Sequence, residues 1–361
     1  MLVAGYNYFS NHKLQISYPK LSKKISILIP VRNEEKNILA LLQTITEQSY
    51  TNYEVIVLDD DSSDNTYSIV KDFISERPQF SISKGQRLPS GWTGKNYACW
   101  QLANKASGAY LLFLDADVQL SPELLGSLLN YASERDLSLL SLFSTQDMFT
   151  SGEKAIVPLM NYMLLTLLPI RLIGNHTDPI FSAACGQLML FKATDYQKHQ
   201  WHKALSDEIT EDLKIIKSVK KHGFKVDALL ADQLLSCRMY STYEEAVSGF
   251  SKNFITPFNN SIPLFCLYLL TITIAPLTIL MSGNLTHIIT LSTLVIMTRY
   301  FTSAASGQSV VMNLLYHPIQ MANLLIIGSV AIINKQTNAG VWKGRKIGNK
   351  LVKPVDTNGL I

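Results

Sequence analysis

Charged side chains are scarce in this chain, and from position 263 to 333 Arg299 is the only Lys, Arg, Asp or Glu. Charged residues make up 17% of the 361 residues, below the roughly 25% usual for globular proteins. Hydrophobic residues reach 47%. That distribution argues against a uniformly soluble enzyme and for a membrane-associated one. The formal net charge is only +4 and no long basic run interrupts the first half, so nucleic acid is not expected as a partner. Cysteine is sparse too: Cys99, Cys185, Cys237 and Cys266 lack metal-like spacing and read as reduced, buried thiols. No Gly-x-Gly-x-x-Gly follows the first strand-like run, which disfavours a dinucleotide-dependent dehydrogenase. Internal repeats and low-complexity tracts are missing. Residues 1–10 are too short for a signal peptide or a membrane span, so no cleavable targeting segment is expected.

What is present in the first half is an alternation of strand-like and helix-like patterns. The apolar run 25–30 reads as a buried strand, and Ile38, Leu41, Leu42 and Ile45 mark one face of a following helix. The run 54–59 is a second strand, followed by helical spacing at Ile69, Val70, Phe73 and Ile74. A helix over 95–105 precedes a third strand over 110–115. This predicts an α/β fold, a mostly parallel sheet with helices on both faces and ligands beyond the carboxyl ends of its strands. Residues 155–173 are apolar but interrupted by Pro158, Asn161, Pro169 and Arg171, consistent with one amphipathic helix at a membrane interface or with an ordinary core helix. Three apolar stretches follow, 263–281, 285–305 and 310–333, each about long enough to cross or enter a bilayer. Asn313, His317, Gln320 and Asn323 make the third the least apolar, so two crossings and a re-entrant or interfacial third stretch are expected. The basic tail (Lys335, Lys343, Arg345, Lys346, Lys350, Lys353) would then share the cytoplasmic side with the first half.

Four acidic clusters sit where strands or helices begin or end. Asn33-Glu34-Glu35 follows the first strand, and a helix cap with a favourable dipole charge would explain it. Asp59-Asp60-Asp61 follows the second. Three adjacent carboxylates repel one another and need donors or a cation, and one of them could accept the imide N–H of a uracil ring. Asp115-Ala116-Asp117 follows the third, where alternation puts both carboxylates on one side. Such a pair suits Mg²⁺ or Mn²⁺ bridging a diphosphate. Thr210-Glu211-Asp212 opens a helix with the apolar face Leu213, Ile216 and Val219, and an ordinary N-cap would also account for it.

In that order and spacing, Asn33-Glu34-Glu35, the Asp-Asp-x-Ser-x-Asp run from Asp59, Asp115-x-Asp117 and Glu211-Asp212 resemble family 2 glycosyltransferases of the GT-A fold, over roughly residues 25–255. The segment 88–98 (Leu-Pro-Ser-Gly-Trp-Thr-Gly-Lys-Asn-Tyr-Ala) resembles hopanoid-associated members. Gly94-Lys95, Cys185-Gly186, Arg238-Met239-Tyr240 and the 342–345 segment (Trp-Lys-Gly-Arg) resemble carotenoid glycosyltransferases acting on diaponeurosporenoate. Two features depart from the family. Asp61 stands where glycine is more frequent. The Gln-x-x-Arg-Trp of processive synthases is not matched, because Gln233 and Arg238 are too far apart and Met239 replaces the tryptophan. The carotenoid enzymes also begin with a membrane segment, so the short N-terminus here is expected to be truncated or to start at a different codon.

The resemblance implies a GT-A nucleotide-diphospho-sugar transferase domain over 25–255 after an N-terminal segment 1–24. A membrane region over 256–334 and a cytoplasmic tail over 335–361 would follow. It implies an inverting transfer of one hexose, glucose from UDP-glucose, to a lipid-like terpenoid or carotenoid acid or alcohol. Transfer to a polyprenyl phosphate or envelope glycan is the alternative, and a non-catalytic nucleotide-binding membrane protein a more distant one. Asp212 would be the general base. Glu34, Asp60, Lys95, Asp115 and Arg238 would bind the nucleotide-sugar, Gly186 and Glu211 the acceptor, and Asp117 the metal, Mg²⁺ or Mn²⁺. The expected place is the cell membrane, multi-pass, with the catalytic domain cytoplasmic.

Overall fold

The structure is a computed structural model that describes residues 1–337 except 19, 21 and 209, together with 340–342 and 345–347. Lys343, Lys350 and Lys353 of the basic tail lie outside the described residues. Ten strands organise the first 240 positions: β1 (Ile25–Val31), β2 (Tyr53–Asp59), β3 (Phe80–Lys84), β4 (Tyr110–Leu114), β5 (Val118–Leu120), β6 (Leu139–Phe143), β7 (Thr145–Gln146), β8 (Leu188–Lys192), β9 (Val226–Leu230) and β10 (Leu235–Cys237). Seven form one sheet in the order β3-β2-β1-β4-β8-β6-β9. β1 runs parallel to β2 and β4, as the alternation of strands and helices predicts. β8 is antiparallel to both β4 and β6, an inversion no local pattern signalled. A small second sheet, β5-β10-β7, stands beside the end of β4.

The apolar runs are strands buried on both faces, the sequence signature of a sheet covered by helices. Along β1, Ile25, Ile27, Ile29 and Val31 enter one core with the Ile38–Thr46 and Leu124–Glu134 helices. Leu28 points into a second core with the Gly94–Lys105 and Glu211–Lys221 helices. The N-terminal segment covers the edge of the sheet. Leu14 N–H donates to Leu230 O (3.0 Å) and Leu230 N–H to His12 O (3.2 Å), which caps the exposed strand groups that would otherwise invite pairing.

Three helical stretches, Ile262–Met281, Leu285–Ala305 and His317–Thr337, are long and apolar enough to cross a membrane. The first widens to a π turn at Leu270–Ile274 just before Pro276. Proline has no N–H and its ring crowds the carbonyl four residues earlier, and the wider turn relieves both. The third was expected to be re-entrant or interfacial because of its polar residues. Two of those residues bond to the chain before position 255: Gln320 Nε2 donates to Lys154 O (2.9 Å), Asn323 Nδ2 to Ala155 O (3.2 Å), and Tyr243 OH to Asn323 Oδ1 (2.7 Å).

The single helix expected over 155–173 is three shorter ones: Ser151–Ile156, Pro158–Leu167 and Leu172–Asn175. Pro158 restarts the helix and Pro169 follows its end, as proline's geometry demands. Ala155, Ile156, Leu159 and Met163 share one core with Phe250, Phe254, Phe265, Leu269, Leu324 and Ile327. The segment is therefore packed between the sheet domain and the apolar helices.

Candidate active site

The first two acidic loops are fastened to each other. Asn33 N–H donates to Ser62 Oγ (3.0 Å), Glu34 N–H to Thr66 Oγ1 (2.8 Å) and Glu35 N–H to Asp64 Oδ2 (3.2 Å). In return Ser63 N–H donates to Asn33 Oδ1 (2.8 Å) and Asn65 N–H to Glu35 Oε2 (3.1 Å). The plain capping role allowed by the sequence for Asn33 is thus replaced by cross-loop bonds with Ser62 and Ser63. Asp61 sits at φ 62°, a left-handed conformation in which glycine is unstrained, and this explains why glycine suits that position. Of the three adjacent aspartates, Asp60 lines the cleft at the strand ends. Asp59 accepts from Ser62 N–H (3.2 Å), and the Asp61 carboxylate lies 3.6 Å from the Arg32 guanidinium.

Lys95 enters from the first turn of the Gly94–Lys105 helix, which Thr93 caps by accepting from Asn96 N–H. Its ammonium lies 2.8 Å from Asp115 Oδ1 and 3.2 Å from Glu211 Oε1. Burial works against the charge, but Asp115 and Glu211 overrule it and raise the lysine well above its ordinary value. Asp212 is held by Gly186 N–H to Oδ2 (3.2 Å) and Leu213 N–H to Oδ1 (2.7 Å). Burial pushes its carboxyl up, and that of Glu211 as well. A Cβ on Gly186 would come within 3.3 Å of Lys95 Nζ and 3.6 Å of Asp212 Oδ2. The chain thus passes directly beneath both groups.

Asp115 and Asp117 occupy the turn between β4 and β5 and both line the cleft. Asp117 Oδ1 is buried with no hydrogen-bond partner. Burial first, then the charges of Asp115 and Glu34, push its carboxyl up to about 7. A buried carboxylate oxygen facing another carboxylate is stable only with a proton or a cation. Among the described residues, no three His, Cys, Asp or Glu side chains are grouped to hold a metal ion by themselves. Beneath Asp117 the Cys237 thiol is hydrogen-bonded to it and accepts from Gln187 Nε2 (2.8 Å). Gln187 in turn accepts from the Ser144 hydroxyl. Those three supports come from β10, the approach to β8 and the end of β6. They form no linear motif, and sequence reading missed them.

Glu34, Asp60, Lys95, Asp115, Asp117, Gly186, Glu211 and Asp212 thus line one cleft of about 2050 Å³. Arg238 is not brought there. It is exposed, its guanidinium bonds to Glu153 (Nε to Oε1, 2.8 Å) and lies 4.9 Å from the Phe149 ring centroid. Arg238, expected to bind the nucleotide-sugar, is instead found paired with Glu153 just after β10 and is not among the residues lining the cleft. The volume exceeds the roughly 300–1,000 Å³ of common small-molecule sites. Away from the acidic end the walls become apolar, with Met160, Leu164, Leu167, Ile180 and Phe250.

This sheet with carboxylates at its strand ends is the GT-A glycosyltransferase fold. Among solved structures the chain resembles mannosyltransferase PcManGT from Pyrobaculum calidifontis, in complex with GDP-Man and Mn²⁺, with TM-score 0.59 and 15% identity over 92% of this chain and 95% of that one. Residues 26–198 match the family described as Glycosyl transferase family 2, and this part of the chain is a family 2 glycosyltransferase domain. It is 27% identical over 266 residues to 4,4'-diaponeurosporenoate glycosyltransferase of Staphylococcus haemolyticus (strain JCSC1435), covering 70% of this chain and 68% of that protein. The protein of the same name from Staphylococcus aureus (strain USA300) is 26% identical over 239 residues, 65% of this chain and 61% of its own length.

Proposed function

We propose that this glycosyltransferase moves a single hexose, glucose from UDP-glucose, to a lipid-like terpenoid acid or alcohol at a membrane surface, inverting the anomeric carbon. One observation carries the reading: a single cleft runs from the buried carboxylates around Lys95 to an apolar wall packed against helices long enough to cross a membrane. The names of the staphylococcal relatives support a carotenoid acid. Residues 25–255 would be the catalytic part and 256–334 the membrane part, with the catalytic side cytoplasmic.

In this reading Asp60 and Glu34 hold the nucleotide. The acceptor oxygen attacks the anomeric carbon, the bond to the diphosphate oxygen breaks, and UDP departs with the electron pair. Asp212, its carboxyl raised by burial, accepts the hydroxyl proton. An acid acceptor arrives ionised, and Asp212 then orients it together with Glu211 and the Gly186 backbone. Lys95, already poised between Asp115 and Glu211, offsets charge on the departing diphosphate. Asp117, with its orphaned buried oxygen, and Asp115 fit a divalent cation, Mg²⁺ or Mn²⁺, completed by donor oxygens. When bound, that ion would neutralise the leaving group.

The test incubates purified protein with labelled UDP-glucose and membrane lipids, then extracts into organic solvent. We expect label in a lipid carrying one hexose. With a hydroxyl acceptor, Asp212→Asn should lower transfer by about 10² or more while UDP-glucose binding survives. Label confined to a water-soluble polymer would sink the lipid acceptor, and a matching loss of donor binding would move Asp212 into the nucleotide site.

A further inference from the structure

The apolar part of the cleft is a built arm. Met160, Leu164 and Leu167 line it from the Pro158–Leu167 helix, Ile180 from the loop before β8, and Phe250 from the Tyr243–Ser251 helix. Leu167 and Ile180 remain 43% and 69% exposed, and large apolar groups gathered on a cleft wall mark a surface that an apolar ligand covers. The same Pro158–Leu167 helix packs against Leu285–Ala305, where the Arg299 guanidinium stacks 4.0 Å from the Tyr162 ring centroid. Pro257, in the Thr256–Phe258 turn that leads into Ile262–Met281, lines the cleft too. The arm therefore opens beside two of the three helices able to cross a membrane, and it is continuous with the cavity that contains Asp212.

We infer that this arm seats the hydrocarbon part of the acceptor, with Leu164, Leu167 and Ile180 setting the length and width of chain it accepts. The inference rests on the lipid-acceptor reading and deepens it by assigning the tail a place. Continuity with Asp212 selects the acceptor over a bystander lipid: a chain lying in the arm brings its polar end toward the reacting carbon. A tail held against Leu164 and Ile180 also excludes bulk water from that side, where water would compete as acceptor. The side chains are aliphatic, thioether and phenyl groups with no polar atoms to pair, so they discriminate by shape and length rather than by hydrogen bonding.

The test uses the full chain in detergent. A long-chain alkyl alcohol carrying a diazirine at mid-chain should crosslink within residues 158–168 and 179–184 on illumination. Crosslinks confined to the three apolar helices would identify bilayer contact and overturn the arm. Kinetics supply the second readout, with long- and short-chain acceptors bearing the same reacting group. Leu164→Trp, which narrows the arm, should raise KM for the long acceptor about tenfold, leaving KM for UDP-glucose and for the short acceptor unchanged. Ile180→Ser, at an exposed loop position that tolerates polarity, should weaken the long acceptor in the same selective way without a folding defect. Equal effects on both acceptors, or none on either, would overturn the inference. Wild-type protein that glycosylates neither amphiphile would instead bring down the lipid-acceptor reading itself.

Discussion

At the scale of single residues, Glu54 shows how strongly a side chain outside any motif can be constrained. It begins β2 beside the first strand, and its carboxylate accepts from Lys24 Nζ (2.8 Å), the Ser26 hydroxyl (2.5 Å) and Ser107 N–H (2.8 Å). Burial raises this carboxyl, yet those donors overrule it and bring it down to about 2. A carboxyl whose folded value is depressed adds stability above its ordinary value of about 4.3, and the gain is lost as pH falls through the folded value. We therefore expect Glu54→Gln to lower Tm at pH 7, with the gap to wild type closing as pH drops from about 5 toward 2. Thermal unfolding of the two proteins across that range decides it; a gap that does not change with pH would contradict the network. The first three acidic clusters were legible as a set, because capping could account for some of them singly but not for their common placement after successive strands. Arg238 was not, since a sequence says nothing of the Glu153 that claims it.

Elements were legible where periodicity is strong and opaque where long-range contacts decide. The patterns at 25–30, 54–59 and 110–115 returned as β1, β2 and β4. The short Leu2–Ser10 helix carried no sign of its task. Its Asn7, almost fully buried, donates from Nδ2 to Leu165 O (2.9 Å) and Leu168 O (2.8 Å) and accepts from Ile170 N–H (2.9 Å). One side chain thus satisfies the backbone groups freed where the Pro158–Leu167 helix stops at Pro169. Removing a buried partner leaves such groups unsatisfied. Asn7→Ala should destabilise the protein by about 1–3 kcal/mol, read by denaturant unfolding in detergent. A change within about 0.5 kcal/mol, the range of ordinary surface substitutions, would deny the clasp.

At the scale of the whole molecule, the sequence draws a boundary near 255 that the packing does not respect. Phe250 and Phe254 lie before it, Phe265, Leu269, Leu324 and Ile327 after it, and all six share one core. A chain ending at residue 255 would expose Phe250, Phe254 and Ala246 to water. We expect it to aggregate or unfold at lower temperature than the full chain, measured by size-exclusion chromatography and thermal melting in the same detergent. A monodisperse fragment of unchanged Tm would show that the two parts are separable. By itself the sequence determined the alternation of strands and helices, the carboxylates at the strand ends and the long apolar stretches. Each of these is written in local periodicity or composition, which a linear chain displays directly. Only the tertiary structure decided that β8 runs antiparallel, that Gln320 and Asn323 face protein backbone, that Arg238 leaves the cleft and that Asn7 closes a helix end 158 residues away. These depend on partners distant in the chain, and burial and hydrogen-bond satisfaction, rather than any local preference, select them.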